Sequence, residues 1–110
     1  MESEFRKKTT GKLRVLLLPM DAVARVIRVL EHGAQKYGDN NWRSAGSSDV
    51  FIEAALRHLM KHIAGERYDD ESGLPHLSHA GASIILAIAM SIKEYKDGSE
   101  EQKEGSNGGT

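Results

Sequence analysis

Residues 74–96 read LPHLSHAGASIILAIAMSIKEYK and hold the longest apolar segment of the chain. Pro75 is tolerated in the first turn of a helix, and the middle of the segment is apolar on almost every side. A helix of that kind is buried on several faces. We therefore predict a central helix that begins around residues 74–75 and ends near residues 95–96.

Two amphipathic helices precede the central one. The first is predicted to begin at Asp21 as its N-cap and to end at Gly38, which suits a left-handed C-terminal position. The second is predicted from residues 48–49 to residues 64–65. Apolar residues recur in both at helical spacing: Val23, Val26, Ile27, Leu30 and Ala34, then Phe51, Ala55, Leu59 and Ile63. We interpret the apolar residues 13–18, which end at Pro19, as a buried, extended lead-in.

The pattern predicts an all-α fold, a small bundle of about three main helices. Two short helices cannot cover the central one, so we expect homo-oligomerisation, at least a homodimer, to complete the bundle. The domain is placed at residues 13–96. Residues 1–12 are expected to be a flexible segment. Residues 97–110 contain no aliphatic or aromatic side chain, and we expect a disordered tail there.

Composition excludes several classes of protein. Fifteen Lys and Arg balance sixteen Asp and Glu, so no broad basic surface for duplex nucleic acid is expected. Cysteine is absent, which excludes disulfides, Cys-ligated zinc and thiol catalysis. The apolar run of residues 80–92 is interrupted and shorter than the roughly twenty residues that span a bilayer. The charged N-terminus does not resemble a signal peptide. We expect no membrane partner and a cytoplasmic location.

Four of the five histidines fall between residues 58 and 79, and carboxylates lie among them. His58 and His62 are one helical turn apart, and His76 and His79 share a face of the central helix. Histidines at such spacings, with carboxylates nearby, are typical of a divalent-metal site. The competing interpretation is a set of solvated surface residues. His32 is far from this group in sequence and is interpreted as an ordinary polar residue.

Two blocks of the chain resemble a known family. The stretch from Lys12 to Arg43, which contains GAQKYGDNNW at residues 33–42, is similar to the opening of the small dATP/dGTP diphosphohydrolases of phages and prophages. Residues 56–80, LRHLMKHIAGERYDDESGLPHLSHA, are similar to a second block of the same family. The resemblance covers residues 12 to about 92. If the protein is phage-encoded, it is expected in the host cytoplasm.

That family in turn resembles the all-α nucleotide pyrophosphohydrolases of MazG type, which hold magnesium with Glu-x-x-Glu and Glu-x-x-Asp motifs. This chain departs from the pattern, because His76-x-x-His79 stands in its third helix and Glu53 is isolated in its second. Imidazole suits transition metals better than Mg²⁺. The resemblance therefore implies a divalent metal, Mg, Mn or Co, without fixing which one.

The implied reaction is the metal-dependent hydrolysis of purine deoxynucleoside triphosphates, dATP or dGTP, to monophosphate and diphosphate. We predict His58, His76, His79 and Asp69 as metal ligands. Glu66 is predicted as the catalytic general base, a role worth about 10²–10⁴-fold in rate. An ordinary exposed glutamate is the alternative for Glu66.

The purine nucleotide partner needs groups for its phosphates and its base. Lys36, Arg43 and Arg57 are predicted phosphate contacts, although Arg57 could instead pair with Glu53. Tyr37 and Trp42 could stack on a purine, and Asn41 could bind its edge. Trp42 could equally be a core or interface anchor.

Two other functions stay open. The first is a non-catalytic, nucleotide-sequestering phage protein that uses the same pocket. The second is a helical oligomerisation module in which the histidines have no chemical role.

Overall fold

The computed structural model describes the backbone of residues 11–106 and the side chains of residues 11–96. Within this range the chain forms three α-helices: α1 (Met20–Tyr37), α2 (Asp49–Ile63) and α3 (His76–Ser106). Helix α3 packs against both α2 and α1. No strand occurs within residues 11–106, and the all-α prediction is confirmed.

Helix α1 begins immediately after Pro19, whose carbonyl accepts hydrogen bonds from the N–H groups of Ala22 and Val23. Asp21, the predicted N-cap, lies instead in the first turn. The predicted end is confirmed. Gly38 has a φ of 95° and its N–H donates to the carbonyl of Ala34. A residue with a side chain is strained at such a φ.

The N-terminus of α2 is held by a side chain from α3. The backbone N–H of Ser48 donates to Oε2 of Glu94 at 2.8 Å, and the Ser48 hydroxyl donates to Oε1 at 3.0 Å. Ser48 is buried. A carboxylate at this end of a helix also interacts favourably with the helix dipole. Glu94 therefore ties the start of α2 to the second half of the predicted central helix.

Four alanines and one methionine form the apolar core between the helices. The buried apolar residues are Ala55, Ala80, Ala82, Ala87 and Met90. Gly81 lies where α1 crosses α3, and a Cβ at this position would be 3.2 Å from Cγ2 of Val26. That distance is tighter than ordinary van der Waals contact, so glycine permits the close approach of the two helices.

Helix α3 continues to Ser106, beyond the end that we predicted near residues 95–96. Half of residues 97–106 are Glu, Gln or Lys, which are strong helix formers that can propagate an existing helix. The helix thus passes through residues 97–106 of the predicted disordered tail. Residues 1–10 of the predicted flexible segment and residues 107–110 lie outside the described part of the chain.

The prediction of a buried, extended segment at residues 13–18 is wrong. Residues Val15–Leu17 form a 3₁₀ turn, and Leu13 and Leu16 are 90% and 94% exposed. Ile63, the last member of the apolar stripe predicted for α2, is also exposed. Hydrophobicity favours burial but does not supply a surface to pack on, and this single chain offers none to these residues.

The segment His76–Lys96 of α3 is long and apolar enough, by length and composition, to cross a membrane. A core helix of a globular protein meets the same two criteria, and this one packs against both other helices. Our expectation that the protein has no membrane partner therefore stays a prediction.

Candidate metal centre

The histidine cluster lies where α2 ends and α3 begins. His58 is on α2, His76 and His79 are in the first turn of α3, and the intervening loop supplies Asp69. Backbone hydrogen bonds shape that loop: the N–H of Asp69 donates to the carbonyl of Leu74, and the N–H of His76 donates to that of Arg67. The turn brings residues from α2, the loop and α3 to one place.

Three predicted ligands converge. One potential ligand atom from each of His58, Asp69 and His76 lies within 4.8 Å of the other two. Nδ1 of His58 is 2.8 Å from Nδ1 of His76. Two nitrogens bound at a right angle to one ion, each ~2.0–2.1 Å from it, would be about 2.9 Å apart. The two imidazoles and the carboxylate therefore fit a divalent transition metal in donor type, and the two nitrogens also fit it in spacing.

Glu66, the predicted general base, lies against His76. Its Oε2 atom is 2.8 Å from Nε2 of His76. The His76 side chain is 1% exposed, whereas that of Glu66 is 46% exposed. Nζ of Lys61 is 3.8 Å from the same carboxylate oxygen. Glu66 thus has one oxygen engaged with a buried imidazole.

His79 adjoins the three converging residues. Its ring stacks on that of His58, with centroids 4.5 Å apart and planes inclined by 15°. Nε2 of His79 is 2.6 Å from the hydroxyl of Ser72 and 4.0 Å from Oδ2 of Asp69. The structure therefore brings all four predicted ligands together, with His79 bonded to a loop hydroxyl.

The electrostatics of the cluster favour neutral imidazoles beside a charged carboxylate. Burial lowers the pKa of His58, and the neighbouring His79 and His76 lower it further. Burial also lowers the pKa of His79, although Asp69 opposes the shift. Burial alone would raise the pKa of Asp69, but hydrogen bonds from Ser72 and the nearby histidines bring it below its ordinary value. Neutral imidazole and ionised carboxylate are the forms that bind metals.

Two of the predicted nucleotide-binding residues, Lys36 and Arg57, interact with the cluster or with its loop. Lys36 of α1 forms an ion pair with Glu71 of the loop, and this contact raises the pKa of Lys36 and lowers that of Glu71. Arg57 is next to His58 in α2, and its charge contributes to the lowered pKa of that histidine. Lys36 and Arg57 are therefore the predicted phosphate contacts that the fold brings nearest to the cluster.

The remaining predicted nucleotide-binding residues make contacts with their neighbours in sequence. Residues Asn41–Ser44 form a second 3₁₀ turn after α1. The Arg43 guanidinium lies 5.0 Å from the Trp42 ring centroid, and the carbonyl of Asn41 accepts a hydrogen bond from Ser44. Tyr37 is 63% exposed and lies 5.0 Å from Nζ of Lys36. Tyr37 is the last residue of α1, and the other three residues lie in the turn that follows it.

Sequence reasoning missed two residues. Ser72 contacts both His79 and Asp69; its place inside the ESGLPH block was the available signal. His32 was interpreted as unrelated to the cluster, yet it is near enough to contribute to the lowered pKa values of His79 and Glu71. Nε2 of His32 is buried and, among the described residues, has no hydrogen-bond partner. His32 and Lys36 are one turn apart on α1, and that spacing could have indicated their common location.

The fold and this site define an all-α protein with a candidate His/carboxylate metal centre at a helix–loop–helix junction. The chain belongs to the dATP/dGTP diphosphohydrolase family, because residues 2–100 match the family model described as "dATP/dGTP diphosphohydrolase, N-terminal". The expected family is confirmed. The relation to MazG-type enzymes stays a prediction.

A curated relative carries the same description. The dATP/dGTP diphosphohydrolase of Salmonella phage PMBT28 is 33% identical over 76 residues, which are 69% of this chain and 26% of the relative. The chain thus spans about a quarter of the length of that relative. No solved structure matches the chain.

Proposed function

We propose that the protein hydrolyses purine deoxynucleoside triphosphates, dATP or dGTP, to monophosphate and diphosphate with the help of a divalent metal. The observation that carries the proposal is the convergence of His58, Asp69 and His76 within 4.8 Å in a member of a family named for this reaction. The name of the phage relative supports the same substrate class.

His58, His76 and Asp69 would hold the metal, with His79 beside them. A bound divalent ion neutralises phosphate charge and lowers the pKa of a coordinated water. Mg²⁺ prefers an all-oxygen environment, whereas imidazole nitrogen favours Mn²⁺ or Co²⁺ among the three candidates. The two-histidine donor set therefore supports Mn²⁺ or Co²⁺ over Mg²⁺.

Lys36 and Arg57 are the proposed phosphate contacts beside the candidate metal centre. Lys36 already neutralises Glu71, and a bound triphosphate would compete with that carboxylate for the ammonium group. Asn41, Trp42 and Arg43, together with Tyr37, are proposed for the base and outer phosphates. The exposed ring of Tyr37 at the end of α1 and the half-buried ring of Trp42 in the following turn support purine stacking.

We also propose that the active form is a homo-oligomer. Four isoleucines of α3 (Ile84, Ile85, Ile88 and Ile92) are 43–57% exposed in the single chain. Ile52 of α2 and three of these isoleucines, Ile84, Ile88 and Ile92, line an apolar groove of about 650 Å³. Large contiguous apolar patches on a protein surface mark interaction sites, and a second copy of the chain would cover this one.

Hydrolysis is tested with dATP and dGTP in the presence of Mg²⁺, Mn²⁺ or Co²⁺, by measuring monophosphate and diphosphate separately. The wild type should release the two products in equal amounts and be inactive with chelator. His58→Ala should lower the rate at least 10²-fold, whereas His62→Ala, one turn further along α2, should not. If the wild type binds the nucleotide tightly but releases no diphosphate with any of the three metals, the protein sequesters nucleotide and does not hydrolyse it.

A further inference from the structure

The hydrogen bond between His76 and Glu66 determines which nitrogen of His76 carries the proton. A neutral imidazole has one N–H and one lone pair. An ionised carboxylate accepts only, so Nε2 of His76, at 2.8 Å from Oε2 of Glu66, is the atom that donates. Nδ1 of His76 is then left with its lone pair.

That lone pair is directed into the cluster. Nδ1 is the atom of His76 that lies 2.8 Å from Nδ1 of His58, on the opposite side of the ring from Glu66. With 1% of its side chain exposed, His76 has no access to bulk water that could satisfy the wrong tautomer. Reversing the tautomer would leave the Glu66 carboxylate facing an unprotonated nitrogen, which is unfavourable in a buried setting.

Metal-binding histidines commonly donate their second N–H to a carboxylate, which fixes the ring and increases the basicity of the ligating nitrogen. We propose that Glu66 is a positioning residue, which holds His76 in the Nε2–H tautomer and so presents Nδ1 to the metal, and that it is not the general base. The inference rests on the metal centre of the proposed function, and it replaces the role that the sequence suggested for Glu66.

A competing explanation is a simple surface ion pair between Glu66 and Lys61. Their separation of 3.8 Å is long, and 57% of the Lys61 side chain is exposed. Exposed pairs of this kind contribute little. The shorter contact, to the buried imidazole, is therefore the one that accounts for the position of Glu66.

Three variants of the full chain separate positioning from base catalysis. Glu66→Gln keeps an amide oxygen that can accept the hydrogen bond from His76, but the amide cannot act as a base. Glu66→Ala can neither accept this hydrogen bond nor act as a base. Glu53→Ala, on the exposed surface of α2, is the control. Affinity for Mn²⁺ or Co²⁺ is measured by calorimetry, and hydrolysis of dGTP is measured alongside.

Positioning predicts that Glu66→Ala weakens metal binding by about 10–100-fold, while Glu66→Gln restores it to within a few-fold of the wild type. Glu53→Ala should bind metal normally. If both Glu66 variants bind metal normally but lose turnover equally, Glu66 is the base and the inference is wrong.

Nitrogen-15 NMR of the metal-free wild type gives a test that does not depend on any variant folding. His76 should be found in the Nε2–H tautomer at pH 7.5, and the Nδ1–H tautomer would overturn the inference. A wild type that binds metal with His76 in the expected tautomer, yet releases no diphosphate, would contradict the proposed function and leave this inference standing.

Discussion

Nδ1 of His58 and Nδ1 of His76 lie 2.8 Å apart, although the two residues belong to different helices. Two lone pairs at this distance repel each other, so a hydrogen must lie between them in the metal-free protein. When His76 is neutral and its Nε2 donates to Glu66, that hydrogen belongs to His58. A metal ion would take the place of this proton.

Metal binding should depend on the cluster and not on histidine content. His58→Ala and His76→Ala are each expected to lower Co²⁺ affinity by at least 10-fold, because each removes a nitrogen donor. His62→Ala should not. Calorimetric titration with Co²⁺ checks the prediction, and equal affinity in the three variants and the wild type would show that the metal binds elsewhere.

The metal-free protein should lose stability as the pH falls from 7.5 to 5.5. Burial holds the pKa values of His58 and His79 below 6.5 in the folded chain, so the unfolded chain binds more protons over that interval. The contribution of neutral His58 and His79 to the free energy of unfolding is complete above pH 6.5. It declines as the pH falls from there to their pKa values in the folded chain. Asp69 titrates below this window.

Urea unfolding at several pH values in the presence of chelator measures this effect. His58→Gln should have a smaller pH dependence than the wild type, and His62→Gln should match the wild type. A wild-type protein that becomes more stable towards pH 5.5 would contradict the burial of these imidazoles.

Glu94→Ala should lower the free energy of unfolding by about 1–2 kcal/mol. The substitution leaves the N–H and the hydroxyl of buried Ser48 without their acceptor and removes a negative charge from the start of α2. Lys93→Ala, the adjacent exposed residue, is the control and should change stability by less than about 0.5 kcal/mol. Chemical denaturation compares the two variants.

The proposed oligomer should depend on the isoleucine surface of α3. Ile88→Glu places a charge in the groove between α2 and α3, which a second copy would have to desolvate. Light scattering should show an oligomer for the wild type and a smaller mass for Ile88→Glu. Glu53→Lys, also a charge change on α2, should leave the mass unaltered. A monomeric wild type at tens of micromolar would contradict the proposal.

Much of the architecture could be predicted because it depends on local patterns. Periodicity predicted three helices, and the ability of glycine to adopt a positive φ predicted that α1 ends at Gly38. The spacing of His76 and His79 on one helical turn predicted that they share a face. These inferences use residues within a few positions of each other, where backbone geometry limits the possible outcomes.

Contacts between helices and loops could not be predicted from such local patterns. Neither the capping of α2 by Glu94 nor the orientation of Glu66 towards His76 follows from a period or a spacing, because each depends on how helices dock. The exposure of residues 13–18 is of the same kind. An apolar sequence predicts burial, but the surface that would bury it is a property of the assembled chain or of its partner.

The ligands of the candidate centre all come from residues 58–79, one helix end, one loop and one first turn. Closing so short a stretch of chain costs little conformational entropy, and the cost rises only slowly with loop length. Proteins rich in contacts of low sequence separation also fold fast. Metal could therefore bind before α1 docks and act as a folding nucleus for the α2–α3 hairpin, which would make the rate of refolding, as well as the final stability, sensitive to metal concentration.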